Sequence, residues 1–225
     1  MLRQLGKCTC GPVSPWALEY LLTVCEKHEA NAATQFYHTL SMFPWAGAIR
    51  GYVFERQVLK YLDDIKEERH LKIRRLTETK TGKTSSWIYR GKIERFTFKD
   101  SEEFQEEFQK RVATKKPVHL VPSAPNFAAV DSIVYHPNDV LTLIQVTRNK
   151  SAHPIAVSGL RLIQSWVQEV WKASLATKKT PWRFLFIVPL KQVPTFKLQK
   201  LEDDTEKGEW AGKMNQYVFG LELKV

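Results

Sequence analysis

The stretch Phe127–Pro154 reads FAAVDSIVYHPNDVLTLIQVTRNKSAHP. It holds two apolar runs, Ala128–Tyr135 and Val140–Thr147, separated by a turn-forming His-Pro-Asn-Asp segment, which predicts a β-hairpin. Each run carries polar residues where a structural strand has no use for them. Asp131 lies on the face of Ala129, Ile133 and Tyr135, and Gln145 and Thr147 on the face of Leu141 and Leu143. A loop with an odd residue count, such as Pro137–Asp139, would set Asp131 opposite Gln145. An even loop would send them to opposite faces unless a bulge restored the match.

The helical pattern Gly51–Ile65, GYVFERQVLKYLDDI, supplies a third candidate. Positions 55, 58, 59 and 62 share a face, so Glu55 lies on the stripe of Val58, Leu59 and Leu62. A carboxylate there either reaches water at the stripe's edge or needs a proton, a partner or a cation. If Glu55, Asp131 and the Gln145 amide oxygen converge, they form an all-oxygen set suited to Mg²⁺ or Mn²⁺. The alternatives are a strand-end Asp131 bonded to the loop near Asn126, and a solvated face for Gln145 and Thr147.

Other segments complete an α/β pattern. Leu71–Glu78 and Trp87–Phe98 alternate as paired strands, with Thr79–Ser86 as their turn, and Ser101–Val112 is a charged helix. Val157–Leu175 is amphipathic along Leu160, Ile163, Val167 and Trp171. Trp182–Leu190 is nearly continuously apolar, as a strand buried on both faces would be. The segment from Gln192 onward is polar before a last short element. Two helices are predicted near Trp16–Cys25 and Ala30–Phe43, so residues 1–45 read as a helical lead-in and 46–225 as the main domain. Thr77–Thr84, TETKTGKT, imitates a phosphate-binding loop but has Thr77 in place of the first glycine and no helix pattern after it; it reads as a hairpin turn.

Composition narrows the partners. The 225 residues carry 34 Lys and Arg against 24 Asp and Glu, a net charge of +10 that favours a polyanion, nucleic acid before membrane. No apolar run approaches the roughly 20 residues of a membrane span, and Met1–Pro12 lacks the pattern of a secretory signal. Three cysteines, Cys8, Cys10 and Cys25, suit a reducing compartment and lack zinc-finger spacing.

The succession GYVFE (51–55), PNFAAVDSIV (125–134), LTLIQVTRNKSAHPI (141–155) and GLRLI (159–163) resembles the nuclease-like domain of Crinkler effectors and of the related retrotransposon-hot-spot proteins. That resemblance covers about residues 45–190. It implies a restriction-endonuclease-like core of the PD-(D/E)XK superfamily, with a central mixed sheet flanked by helices, here preceded by the N-terminal helical extension. It also implies a metal-dependent nuclease acting on double-stranded DNA without strong sequence preference, with Glu55, Asp131 and Gln145 as metal ligands. Gln145-Val146-Thr147 stands where the family has Glu-x-Lys, so Thr147 replaces the lysine. Lys92, Arg148 and Lys150 are candidates to supply that charge. His153 and Arg161, with Gln164 beside it, are candidates to touch phosphate. The family further implies an ATPase module in a longer parent protein, and delivery as an effector to another cell's cytoplasm or nucleus. Two other readings remain: an inactive nuclease fold that binds nucleic acid, and an interaction domain presenting some of its seven tryptophans.

Overall fold

The computed structural model describes Tyr20 and residues 47–222, apart from 79–81, 125–126, 128, 150–153, 172–174 and 203–207. The chain divides into two compact units, 1–53 with 223–225, and Phe54–Glu222. The second is an α/β unit. The helices predicted near Trp16–Cys25 and Ala30–Phe43 lie outside the described residues.

The described elements run α1 (Gly47–Asp63), β1 (Arg69–Arg75), β2 (Thr84–Tyr89), β3 (Glu94–Phe98), α2 (Ser101–Thr114), β4 (Val118–Pro122), β5 (Ser132–Tyr135) and β6 (Thr142–Val146). They continue with β7 (Ile155–Ala156), α3 (Val157–Val170), β8 (Trp182–Pro189), a 3₁₀ turn (Leu190–Thr195), β9 (Leu201–Glu202) and β10 (Met214–Leu221). Eight strands form one mixed sheet in the order β2-β1-β10-β8-β6-β5-β4-β3, and β7 pairs with β9 apart from it. The pairs β6–β8, β8–β10 and β3–β4 are parallel; the other pairs in this sheet are antiparallel.

WRFLFIVP of β8 explains the layering. Phe184, Phe186 and Val188 alternate with Leu185 and Ile187, and all five are fully buried, so both faces of this strand are covered. On one face Phe184 and Phe186 join Leu120, Ile133 and Leu143 in a core completed by Phe104 and Phe108 of α2 and Leu160, Ile163 and Val167 of α3. On the other face Tyr61 of α1 stacks on Phe219 with ring centroids 6.3 Å apart, and Asp63 pairs with Arg95 at 3.1 Å. The sheet curls towards this side: the Arg183 guanidinium of β8 lies 5.9 Å from the ring of Trp87 on β2, three strands away in the order.

Local chemistry sets the helix ends. Asp100 caps α2 by accepting from the Glu103 amide at 3.0 Å, while Glu103 accepts from the Lys99 amide at 2.8 Å. Lys115 ends the helix in the left-handed region at φ 51°.

Several boundaries differ from expectation. The run Trp87–Phe98 is two strands rather than one, because Gly91 at φ +70° turns the chain between them, and β2 and β3 occupy opposite edges of the sheet. The strand β4 and the long β10 were not anticipated; the latter is an eight-residue member of the main sheet rather than a short closing element. The helix α3 stops at Val170, with Trp171 in extended backbone. The strand beginning near Leu71 ends at Arg75. The segment that imitates a phosphate site lies between β1 and β2, with 79–81 outside the described residues; Gly82 is needed there because a Cβ would fall 1.7 Å from the Arg75 carbonyl oxygen.

Candidate functional site

The β5–β6 hairpin settles the register. Val134 pairs with Thr142, Ile133 with Leu143 and Ser132 with Ile144, and this pairing stops one step short of Asp131 and Gln145. The spacing corresponds to the odd loop, and Arg183 explains why the loop adopts it. Its guanidinium donates to both carboxylate oxygens of Asp139, at 2.8 and 3.2 Å, and to the Thr142 hydroxyl at 2.9 Å. This grip on Asp139 and Thr142 from the neighbouring strand fixes the turn against the start of β6.

Asp131 lies one residue before β5. Its amide donates to the Ile144 carbonyl at 2.8 Å, and its Oδ2 accepts from the Val146 amide at 2.6 Å. The residue therefore spans Gln145 along the backbone of β6, with its carboxylate in the plane of the sheet rather than on the face shared by Ile133 and Tyr135. That position, at the edge between layers, lets its charge act on Glu55 of α1. The stripe on α1 is as expected: Val58 and Leu62 are fully buried, and Glu55 sits beside them.

The electrostatics of the pair are unusual for carboxylates. Burial, and then the negative charge of Asp131, push the Glu55 carboxyl up to about 7. Burial pushes Asp131 up to about 6, against the opposing effect of the hydrogen bond from Val146. Neither group has a cationic partner among the described residues. Glu55, Asp131, Gln145 and Thr147 are each half-buried. The Gln145 Oε1 is itself shielded and accepts no hydrogen bond among the described residues. Two carboxyls held near neutral make a pair that suits a hard divalent cation. Gln145 stands in register with Phe186, on the face of Leu143, with its unpaired amide oxygen on the strand beside Asp131. Among the described residues no group of three or more His, Cys, Asp or Glu side chains converges.

The remaining candidates divide. Thr147 donates its amide to the Ile187 carbonyl at 3.0 Å, and its hydroxyl oxygen accepts from the Asn149 amide at 3.2 Å. It brings no positive charge. Arg148 follows directly, its carbonyl held by Gln192 Nε2 at 2.7 Å. Lys92 is exposed and lies elsewhere: β3 begins level with the Tyr135 end of β5, opposite the end where Asp131 sits, so Lys92 does not replace the missing lysine. Arg161 on α3 is held by Glu209 through two bonds of 2.9 and 2.6 Å, which leaves it a poor phosphate contact. Lys150 and His153 lie outside the described residues.

Two contributors had no signal in the sequence. The Val146 amide is a backbone group, invisible to residue types. Gln192 sits in a segment that reads as a polar loop, yet it is buried, and it anchors the chain leaving β6.

Comparison of the chain with models of known families, with curated proteins and with solved structures found no match. No helix among the described residues is long and apolar enough to cross a membrane.

Proposed function

We propose that this chain is a metal-dependent nuclease of the PD-(D/E)XK type acting on DNA, with Glu55, Asp131 and Gln145 holding Mg²⁺ or Mn²⁺. The observation that carries the reading is the pair Glu55 and Asp131, whose ionisation burial makes costly and which have no cation beside them among the described residues. A protein gains nothing in stability from two such acids, and perturbed carboxyls of this kind gather at functional sites. The order of elements supports the restriction-endonuclease-like fold: a helix bearing the acid, a hairpin bearing Asp131 and Gln145, then α3 crossing to β8 parallel to β6. So does the resemblance to the Crinkler nuclease-like domain, which also supports a role as an effector in the nucleus or cytoplasm and an ATPase module in a longer parent.

A divalent cation bound there would polarise a phosphodiester and make a bound water more acidic. Glu55 and Asp131 would hold it by charge, and Gln145 by a neutral oxygen. The Val146 amide keeps the Asp131 carboxylate oriented whether or not a cation is present. A second reading, a nuclease fold that binds DNA without cutting it, is favoured by Thr147, whose hydroxyl supplies no charge to the reacting phosphate.

Calorimetric titration of Mg²⁺ and Mn²⁺ into the protein and into its Asp131→Asn variant, with plasmid nicking on the same samples, tests the proposal. Binding and nicking that both vanish in the variant support the nuclease. Metal binding without nicking supports the second reading, and neither activity in the parent protein sinks the metal site.

A further inference from the structure

The strands β1 and β2 form a two-stranded antiparallel ribbon, paired from Arg69↔Tyr89 to Arg74↔Thr84. It joins the rest of the sheet through only two residue pairs with β10, against eight between β10 and β8. One side is buried through Leu71, Ile73, Trp87 and Tyr89. The other side presents His70, Lys72, Thr84 and Ser86 to solvent, while Arg69, Arg75 and Ser85, which fall on the side of Leu71 and Ile73, and Lys83 just beyond the last pair are exposed at the ribbon's margins.

The charge of this ribbon is one-sided. RHLKIRR and TSSWIY contain no Asp or Glu. From Lys66 to Arg90 there are eight Lys and Arg against three acids, which amounts to half of the chain's net charge of +10 in one ninth of its length. Elsewhere lysines are answered by neighbours: Lys99 pairs with Glu103 and Lys110 with Glu107. Arg69, Lys72 and Lys83 have no such acid among the described residues.

We infer that the outer surface of the β1–β2 ribbon binds the phosphate backbone of duplex DNA and seats it on the protein. The inference rests on the nuclease reading and adds to it a surface none of whose residues is a ligand of the candidate metal. The ribbon has the dimensions of an element the major groove admits. Lys72 of β1 and the hydroxyls of Thr84 and Ser86 of β2 share the outer side and suit phosphate oxygens, and Arg69 and Lys83 extend the basic surface at its margins. An anionic membrane is the poorer partner, because the only large apolar side chain on the outer side is the half-buried Ile88, and insertion among headgroups needs an apolar face.

The test is fluorescence anisotropy of a labelled 20-base-pair duplex, in EDTA, between about 50 and 300 mM salt. It compares the parent protein, an Arg69→Gln/Lys72→Gln/Lys83→Gln variant, and a control of equal charge loss, Lys99→Gln/Lys110→Gln/Lys116→Gln. The ribbon variant is expected to bind at least tenfold more weakly at 100 mM salt. Its log–log salt slope should be shallower by about three, near one per phosphate contact removed. The control should move little. Equal losses in both variants, a ribbon variant that binds as the parent does, or a parent that does not bind duplex would overturn the inference. So would a ribbon variant that loses affinity for phosphatidylserine vesicles while keeping it for duplex. Because no metal is present, this outcome is independent of nicking: the ribbon can fail while the metal site stands, and the reverse. Circular dichroism of both variants confirms that they are folded.

Discussion

The carboxylate of Asp131 accepts a 2.6 Å hydrogen bond from the Val146 amide, one residue beyond Gln145 on the adjacent strand. One side chain thus serves both the sheet and the candidate site, and substitutions can separate the two roles. Asp131→Asn keeps an acceptor for Val146 and removes the charge. It is expected to leave the melting temperature within a few degrees of the parent while abolishing Mn²⁺ binding by calorimetry. Asp131→Ala leaves the Val146 amide without its partner and should cost about 1–3 kcal/mol of stability as well. Equal loss of stability in both variants would mean that the charge, rather than the hydrogen bond, holds the hairpin.

The raised pKa values give the metal-free protein a direction with pH. Glu55 moves from 4.5 to about 7 and Asp131 from 3.8 to about 6, so between these limits the native state holds protons that the unfolded chain has released. Stability from this source is therefore present below pH 4 and lost as pH rises through 6 to 7. Thermal melts in EDTA should fall in midpoint from pH 5 to pH 8 relative to a Glu55→Gln/Asp131→Asn variant. Mg²⁺ or Mn²⁺ should restore the midpoint most at the alkaline end, with proton release seen as a buffer-dependent heat. A parent and variant with parallel pH profiles would refute the assignment.

Thr147 occupies the place of a lysine in the family that the sequence resembles, and its hydroxyl is occupied with the Asn149 amide. Thr147→Lys gives up that one bond, worth about 0.5–1.5 kcal/mol, and adds the charge. If the site is a nuclease slowed by the lack of a lysine, nicking should rise by at least tenfold in the variant with metal affinity little changed. No rise in a variant that still binds metal and DNA would place the missing cation elsewhere.

What could be read from the sequence depended on whether one strand's residues sufficed. WRFLFIVP is apolar at every position but one, so its burial on both faces needed no partner to be evident. The Glu55 stripe followed from helical spacing alone. The register that carries Asp131 alongside β6 turned on the parity of a loop, and that loop is gripped by Arg183, which lies more than forty residues away. Lys92 illustrates the same limit from the other side. It stands in an alternating run that looks like one strand, yet Gly91 sends the chain from one sheet edge to the other. Strand β4, VHLVP, is short and ends in proline, which disguises a strand between β3 and β5 whose first three residues are buried. The lack of acids in β1 and β2 was visible as composition, but only the pairing of the strands put Lys72, Thr84 and Ser86 on one side.

Arg183 is accordingly the residue through which the fold reaches the site without touching it. Its side chain is mostly buried, at 15% exposure, and it holds Asp139 and Thr142 where the hairpin begins. Arg183→Gln cannot reach both carboxylate oxygens, so Asp139 is left partly unpaired and the loop is free to shift. The expected cost is about 1–3 kcal/mol, smaller than for a fully buried pair because Asp139 keeps contact with water. The more telling readout is amide hydrogen exchange. If Arg183 sets the register, protection of the Val146 amide should drop in the variant and Mn²⁺ affinity should drop with it, although no ligand has been altered. Unchanged protection at Val146 would show that β6 keeps its register through β8 alone, by the bonds of which Thr147 to Ile187 is one.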